Sequence, residues 1–223
     1  MIRLKVAENK SLEKVIYDAL KQGIFSGHFQ PGERLIESTL AAQLNVSRTP
    51  MREAIKRLEI EKLVEIFPNK GATVLKVSPD DIKEMYETVG ILEGYVCGLS
   101  VSKIESQHIE RLKGFHKQLQ DEELQQDYKN WLRINSKFHN VYQSICQKPN
   151  IVELIYNRQG PLARYWYISC TLPGLIKRGI SDHGKIITAF ETGDRALARS
   201  TAEDHFIITG HFLREHFQKI SVL

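Results

Sequence analysis

The sequence predicts a mainly α protein in two parts: three helices closed by one β-hairpin, then an all-α helical bundle. Three observations carry that expectation. Apolar residues recur at helical spacing along most of the chain. Strand formers gather only around residues 63–77, on either side of Pro68-Asn69-Lys70-Gly71. The run Ser78-Pro79-Asp80-Asp81 reads as the start of a new helix, with a capping serine, a first-turn proline and two aspartates at the positive end.

Taken in order, Leu12, Val15, Ile16, Ala19, Leu20 and Ile24 form the apolar face of a first helix, which ends near Ser26-Gly27. Pro31-Gly32 is a turn. A short helix follows over Glu37–Leu44. After Asn45-Val46, Ser47 caps a third helix running to about Lys62, with Ala54, Ile55 and Leu58 inward. Leu63–Phe67 and Ala72–Val77 are the hairpin strands. The expected division is therefore 1–77 and 78–223. Beyond it, breaks near 102–106, 122–126, 148–150, 173–174 and 193–194 leave about six helices and no strand.

Charge separates the same two parts. Residues 1–78 hold 13 Lys/Arg against 9 Asp/Glu, and the remainder 18 against 18, so the whole excess of +4 lies in the first part. A basic module beside a neutral one suits a polyanion-binding head. Cys97, Cys146 and Cys170 are odd in number and widely spaced, which excludes a disulfide framework and a CxxC metal motif and suits a reducing cytoplasm. No apolar run approaches the ~18 residues of a membrane span, and residues 1–10 lack a signal-peptide core, so no membrane partner is expected.

Three helices and a hairpin are the order of a winged helix-turn-helix, and 40–54 reads as two helices around a tight turn. Short polar donors and arginine belong at the start of a helix that meets phosphates and base edges. Ser47, Arg48, Thr49 and Arg52 supply them, with Arg48 and Arg52 one turn apart on one face. Arginine is the side chain best shaped for two-point contact with guanine. A solvated basic helix start accounts for these residues equally well when they are taken alone.

The residues Pro31-Gly32-Glu33-Arg34-Leu35, Leu40-Ala41, Val46–Ala54, Leu58 and Asn69-Lys70-Gly71-Ala72 closely resemble the GntR family of bacterial repressors. The resemblance implies that Ser47, Arg48, Thr49 and Arg52 contact double-stranded operator DNA in the major groove, and that Gly71 approaches the minor groove at the wing tip. Many members carry arginine in the second helix where this chain has Ser38; Arg34 and Lys70 are the candidates to supply backbone charge instead.

In the second part, Asn135 lies on a stripe with Trp131, Phe138, Tyr142 and Ile145, and His139 follows one turn later. His183 lies on the stripe of Ile180, Ile187 and Phe190. His205 sits between Ala202 and Thr209 on the stripe that runs from Ala198 to Phe212. Four inward polar residues on three helices each cost roughly 1–3 kcal/mol if unpaired. A shared metal ion would pair all four; one core hydrogen bond for each histidine is the other reading. The markers Leu92-Glu93, Asn135-x-x-Phe138-His139, Asp182-His183 and His205 resemble the FCD ligand-binding domain of the FadR subfamily.

That resemblance implies Asn135, His139, His183 and His205 as ligands of a divalent ion, often zinc or nickel, whose coordination a small carboxylate effector completes. Aspartate is commoner where Asn135 stands, and an amide removes one negative charge from the site. Val89 occupies the place where members often carry an effector-clamping arginine, and Arg133 and Arg164 are the candidates to replace it. The reading is a cytoplasmic, homodimeric transcriptional regulator on a near-palindromic operator. Its rivals are a metal-independent regulator and a metal-dependent hydrolase, for which no Asp or Glu falls on the inward stripes as a general base.

Overall fold

The computed structural model describes residues 11–25, 28–67 and 71–221, of which residues 159–161, 163, 220 and 221 are described by their backbone alone. The chain divides into two compact units, meeting in sequence at Val77 and Ser78. Each is described by itself.

In the first unit, α1 (Leu12–Phe25) buries Ile16, Tyr17, Leu20 and Ile24. Its core partners come from α3 (Arg48–Ile60), which turns Met51, Ala54, Ile55 and Leu58 inward and leaves Arg48 and Arg52 exposed. Between them α2 (Glu37–Leu44) stops where Asn45 enters the left-handed region, its N–H bonded back to Ala41 and Ala42 carbonyls. Asparagine tolerates that conformation, so the turn is sharp. The third helix ends two residues earlier than its apolar spacing suggests, because Lys62 has φ +57°.

The hairpin strands are β2 (Val64–Phe67) and β3 (Gly71–Val74), and a strand the sequence reading lacks, β1 (Arg34–Leu35), pairs with the outer edge of β3. The antiparallel order is β1-β3-β2. Two residues show no alternation, which is why β1 is invisible to a period-2 reading. Gly71 is required by this sheet: its φ is +83°, and a Cβ there would stand 2.8 Å from the Leu35 carbonyl oxygen.

The second unit opens as its sequence predicts. Ser78 accepts from the Asp81 N–H and donates its own N–H to the Asp81 carboxylate, closing a capping box. Among the described residues six α-helices follow: α4 (Pro79–Ser100), α5 (Ser106–Leu119), α6 (Tyr128–Ile145), α7 (Pro149–Thr171), α8 (Leu175–Thr192) and α9 (Arg195–Ser221). Every break falls where it is expected. Gly90, Gly94 and Gly98, one turn apart on α4, let α9 come so close that a Cβ at Gly90 or Gly94 would lie 2.9 or 2.8 Å from a backbone oxygen of α9. One inward assignment is corrected: Phe212 is exposed, and Phe206 and Leu213 are buried instead. Two neighbouring rows of α9 both satisfy three-four spacing, and spacing alone does not choose between them.

Candidate functional site

The α6 sequence places Asn135, His139 and Gln143 four residues apart, in one row along the helix. His183 arrives from α8 and His205 from α9. One ligand atom from each of the three histidines lies within 4.8 Å of the others. His183 is fixed by stacking on Phe138, with ring centroids 4.2 Å apart. Burial holds the His139 and His183 imidazoles well below their ordinary pKa, aided by the neighbouring histidines. Both are therefore neutral at pH 7, with lone pairs available to a metal.

The polar ends of this cluster lack partners. Asn135 Oδ1, His139 Nε2, both ring nitrogens of His183 and His205 Nδ1 are buried without a hydrogen bond. One core hydrogen bond for each histidine, the sequence's other reading, describes His139, whose Nδ1 meets Tyr142 Oη, but not His183, neither of whose ring nitrogens has a partner. Orphaned ring nitrogens and an amide oxygen on three helices fit a divalent cation of the borderline class, for which imidazole and amide oxygen are suitable donors.

Behind the histidines stands a carboxylate that the sequence reading names as a family marker without giving it a place at the site. Glu93, on α4, is fully buried. It accepts from Tyr142 Oη at 2.8 Å and from Gln143 Nε2 at 2.7 Å. Tyr142 spends its proton on Glu93, so at 2.6 Å it accepts from His139 Nδ1–H. That chain sets the His139 tautomer and leaves Nε2 bare, the outer-shell arrangement that orients a metal-binding histidine. Asp182 is buried too, its Oδ2 3.6 Å from His205 Nδ1. Burial pushes the Asp182 carboxyl up, but His205, Lys185 and Arg178 together outweigh burial and hold it low.

The expectation that no acid lies inward is therefore corrected. Glu93 comes from a helix whose inward face carries no histidine to draw attention to it. Asp182 is next to His183 in sequence, a position that ordinarily turns away on a helix. A search for carboxylates beside tyrosine and amide partners on facing helices would have found Glu93.

A cavity of about 300 Å³ opens beside Asn135, His139 and His205. Trp131, Trp166 and Phe206 supply apolar wall, and Gln143 and Tyr86 bring polar atoms. Among the described residues no Lys, Arg, Asp or Glu lines it. Arg133 is exposed and donates to Asn130 on its own helix at 3.3 Å. Arg164 is buried, its Nε without a partner, and does not line the cavity. Val89 is fully buried in the core.

In the first unit, Arg34, Arg48, Arg52, Lys56 and Gly71 line one concave surface, together with Glu37 and Ser38. Ser47 occupies the N-cap of α3, and Ser47 and Thr49 are exposed. Lys56 extends the one-turn ladder of Arg48 and Arg52, a continuation the sequence already displays. Arg52 is held by Glu37, with Nε and Nη2 each 3.1 Å from Oε2. Lys70 lies outside the described residues.

A basic winged helix-turn-helix head and an all-α unit centred on histidines define a two-part, regulator-like class of protein. Residues 12–74 match the model described as bacterial regulatory proteins, gntR family, and residues 84–207 match the FCD domain. The chain belongs to the gntR family of bacterial regulatory proteins, in its FCD-containing branch. It is 30% identical over 147 residues to the uncharacterized HTH-type transcriptional regulator YdhC of Bacillus subtilis, covering 62% of each chain. It is 33% identical over 130 residues to the Nta operon transcriptional regulator of Aminobacter aminovorans, covering 58% of this chain and 61% of that one. In both, the match spans under two thirds of the relative's length. The solved structure of E. coli McbR/YncC shares the fold, with a TM-score of 0.68 at 24% identity over 93% of this chain and 99% of that one. Among the described residues no helix is long and apolar enough to cross a membrane.

Proposed function

We propose that this protein is a cytoplasmic, homodimeric transcriptional regulator that binds a short near-palindromic operator through its winged helix-turn-helix. A small carboxylate effector in the bundle, reached through a divalent ion such as zinc or nickel, governs that binding. Asn135, His139, His183 and His205 would hold the ion, which supplies a positive centre for the effector's carboxylate. The observation that carries the reading is the convergence of unpartnered histidine nitrogens beside a cavity. Ser47, Arg48, Thr49, Arg52, Arg34, Lys70 and Gly71 make up the DNA-facing set, supported by the shared concave surface of its arginines. Two heads are needed to read symmetric half-sites, hence the dimer. Regulation follows if the effector binds the DNA-competent and incompetent arrangements with different affinity.

Two measurements test this. Metal analysis of the purified full chain should find about one divalent ion per protomer, lost in His139→Ala. Arg48→Ala or Arg52→Ala should abolish retardation of an operator fragment selected from random-sequence DNA, without unfolding the head. A metal-free protein whose His139→Ala variant still responds to its effector overturns the metal-linked reading. Normal retardation by both arginine variants overturns the recognition helix.

A further inference from the structure

The cavity carries more information than its position beside the histidines. Its volume of about 300 Å³ lies at the small end of ligand pockets, so it suits a small effector with a single ring rather than a larger ligand. Its walls include both tryptophans of the chain, Trp131 and Trp166, with Phe206 and Ile176. Walls of this kind favour a flat, apolar body. No charged side chain among the described residues lines it, so a charge on the ligand finds compensation only at the histidine end. A divalent ion on four neutral donors keeps both its charges there and asks for an anion. Glu93 and Asp182 stand behind the ligand set rather than on the cavity wall.

Gln143 adds a second requirement. Its Nε2 donates to Glu93 Oε1 at 2.7 Å, which sets the direction of the amide. Its Oε1 is left buried, without a partner, on a residue that lines the cavity. Such an acceptor is expensive unless a ligand donates to it. Gln143 lies one turn of α6 beyond His139, a rise of about 6 Å, which is close to the reach across a para-substituted benzene ring. Tyr86, 1% exposed and lining the same space, holds a second unpartnered polar atom, Oη.

We infer that the effector is an aromatic monocarboxylate bearing a hydroxyl or amino group across the ring from its carboxylate, and that Gln143 is the residue that selects for that donor. The inference rests on the reading of the bundle as a metal-linked effector site. Binding is read in the full-length, zinc-loaded protein by quenching of tryptophan fluorescence, since both tryptophans line the cavity. The probes are 4-hydroxybenzoate, 4-aminobenzoate, benzoate and terephthalate, with lactate and citrate as aliphatic comparisons.

The two para-donor acids bind at least about tenfold more tightly than benzoate, and terephthalate, whose second charge finds no cation, binds more weakly than either. In Gln143→Met the ratio of 4-hydroxybenzoate to benzoate affinity falls to about one. Equal affinities of 4-hydroxybenzoate and benzoate in the unaltered protein overturn the inference whether or not that variant folds. Lactate or citrate binding while the aromatic acids do not overturns the inference and leaves the metal-linked cavity standing. Failure of zinc itself to bind, measured by mass spectrometry after dialysis, overturns the inference and the reading beneath it together.

Discussion

Tyr142→Phe is the sharpest perturbation of the bundle, because it removes one oxygen and almost no volume. In the native unit that oxygen receives the His139 Nδ1–H at 2.6 Å and donates to Glu93 at 2.8 Å, with all three groups buried. Burial, and then the adjacent carboxylate, hold the Tyr142 hydroxyl well above its ordinary pKa, so it is a neutral donor throughout the working range. Its loss strands the imidazole N–H at about 1–3 kcal/mol and takes one charge-assisted bond, worth about 1.5–3 kcal/mol, from Glu93. Relief of the hydroxyl's own desolvation offsets part of this, for a net loss of about 2 kcal/mol.

For a unit of this size, that loss corresponds to a melting point lower by roughly 4–8 °C. A second effect is independent of stability. With no acceptor at Nδ1, the His139 proton is free to sit on Nε2, where it blocks metal binding. Loss of such an outer-shell partner typically costs about 10–100-fold in metal affinity. The first effect is measured by thermal unfolding of chelator-treated protein, the second by competition against a chromophoric chelator. A variant that melts with the native protein and holds zinc equally well would refute the chain from Glu93 through Tyr142 to His139.

Three further outcomes are expected. Glu37→Gln removes a negative charge facing the polyanion and releases the Arg52 fork; affinity for random-sequence DNA rises while the ratio of specific to non-specific binding, measured by fluorescence anisotropy at fixed salt, narrows. An unchanged ratio would mean that Glu37 does not orient Arg52. Gly71→Ala places a Cβ 2.8 Å from the Leu35 oxygen at φ +83° and weakens the wing by about 2 kcal/mol or more. Hydrogen exchange at the β1 and β3 amides should accelerate, and unaltered protection counts against the β1-β3 pairing. In metal-free protein, the neutral His139 and His183 refuse protons that the unfolded chain accepts. Their stabilisation is complete above about pH 6.5 and is lost as pH falls below it, by up to about 1.4 kcal/mol per unit for each histidine. The melting point of that protein should drop between pH 7.5 and 5.5; a flat profile would contradict the burial of neutral rings.

Much of the fold is legible in the sequence because helix boundaries are written locally. The cap at Ser78, the prolines that open α4 and α7, the left-handed Asn45 and the glycines at 174 and 193 act on their own segments, and the structure follows them. The inward placement of His139 and His183 is equally legible, from the one-turn spacing of His139 after Asn135 and from the stripe that His183 shares with Ile187 and Phe190. Local rules fail where two neighbouring rows of a helix both satisfy the apolar spacing and only one of them is packed. Phe212 is the example: it satisfies the spacing and lies in solvent, while Phe206 and Leu213 do the packing.

Periodicity in this sequence determined that three helices, a hairpin and six further helices would form, that positive charge would collect on the first unit, and that polar side chains would turn inward on α6, α8 and α9. The tertiary structure alone decided what those side chains meet. Glu93 lies 49 residues from Tyr142 and 50 from Gln143 along the chain, and only the close approach of helices makes one carboxylate fix both the tautomer of His139 and the direction of the Gln143 amide. Spacing acts along a helix, whereas hydrogen bonds and cavities arise between helices. Which atom is satisfied and which is left open for a ligand is therefore settled by packing, where burial turns each unpaired acceptor into a demand for a partner.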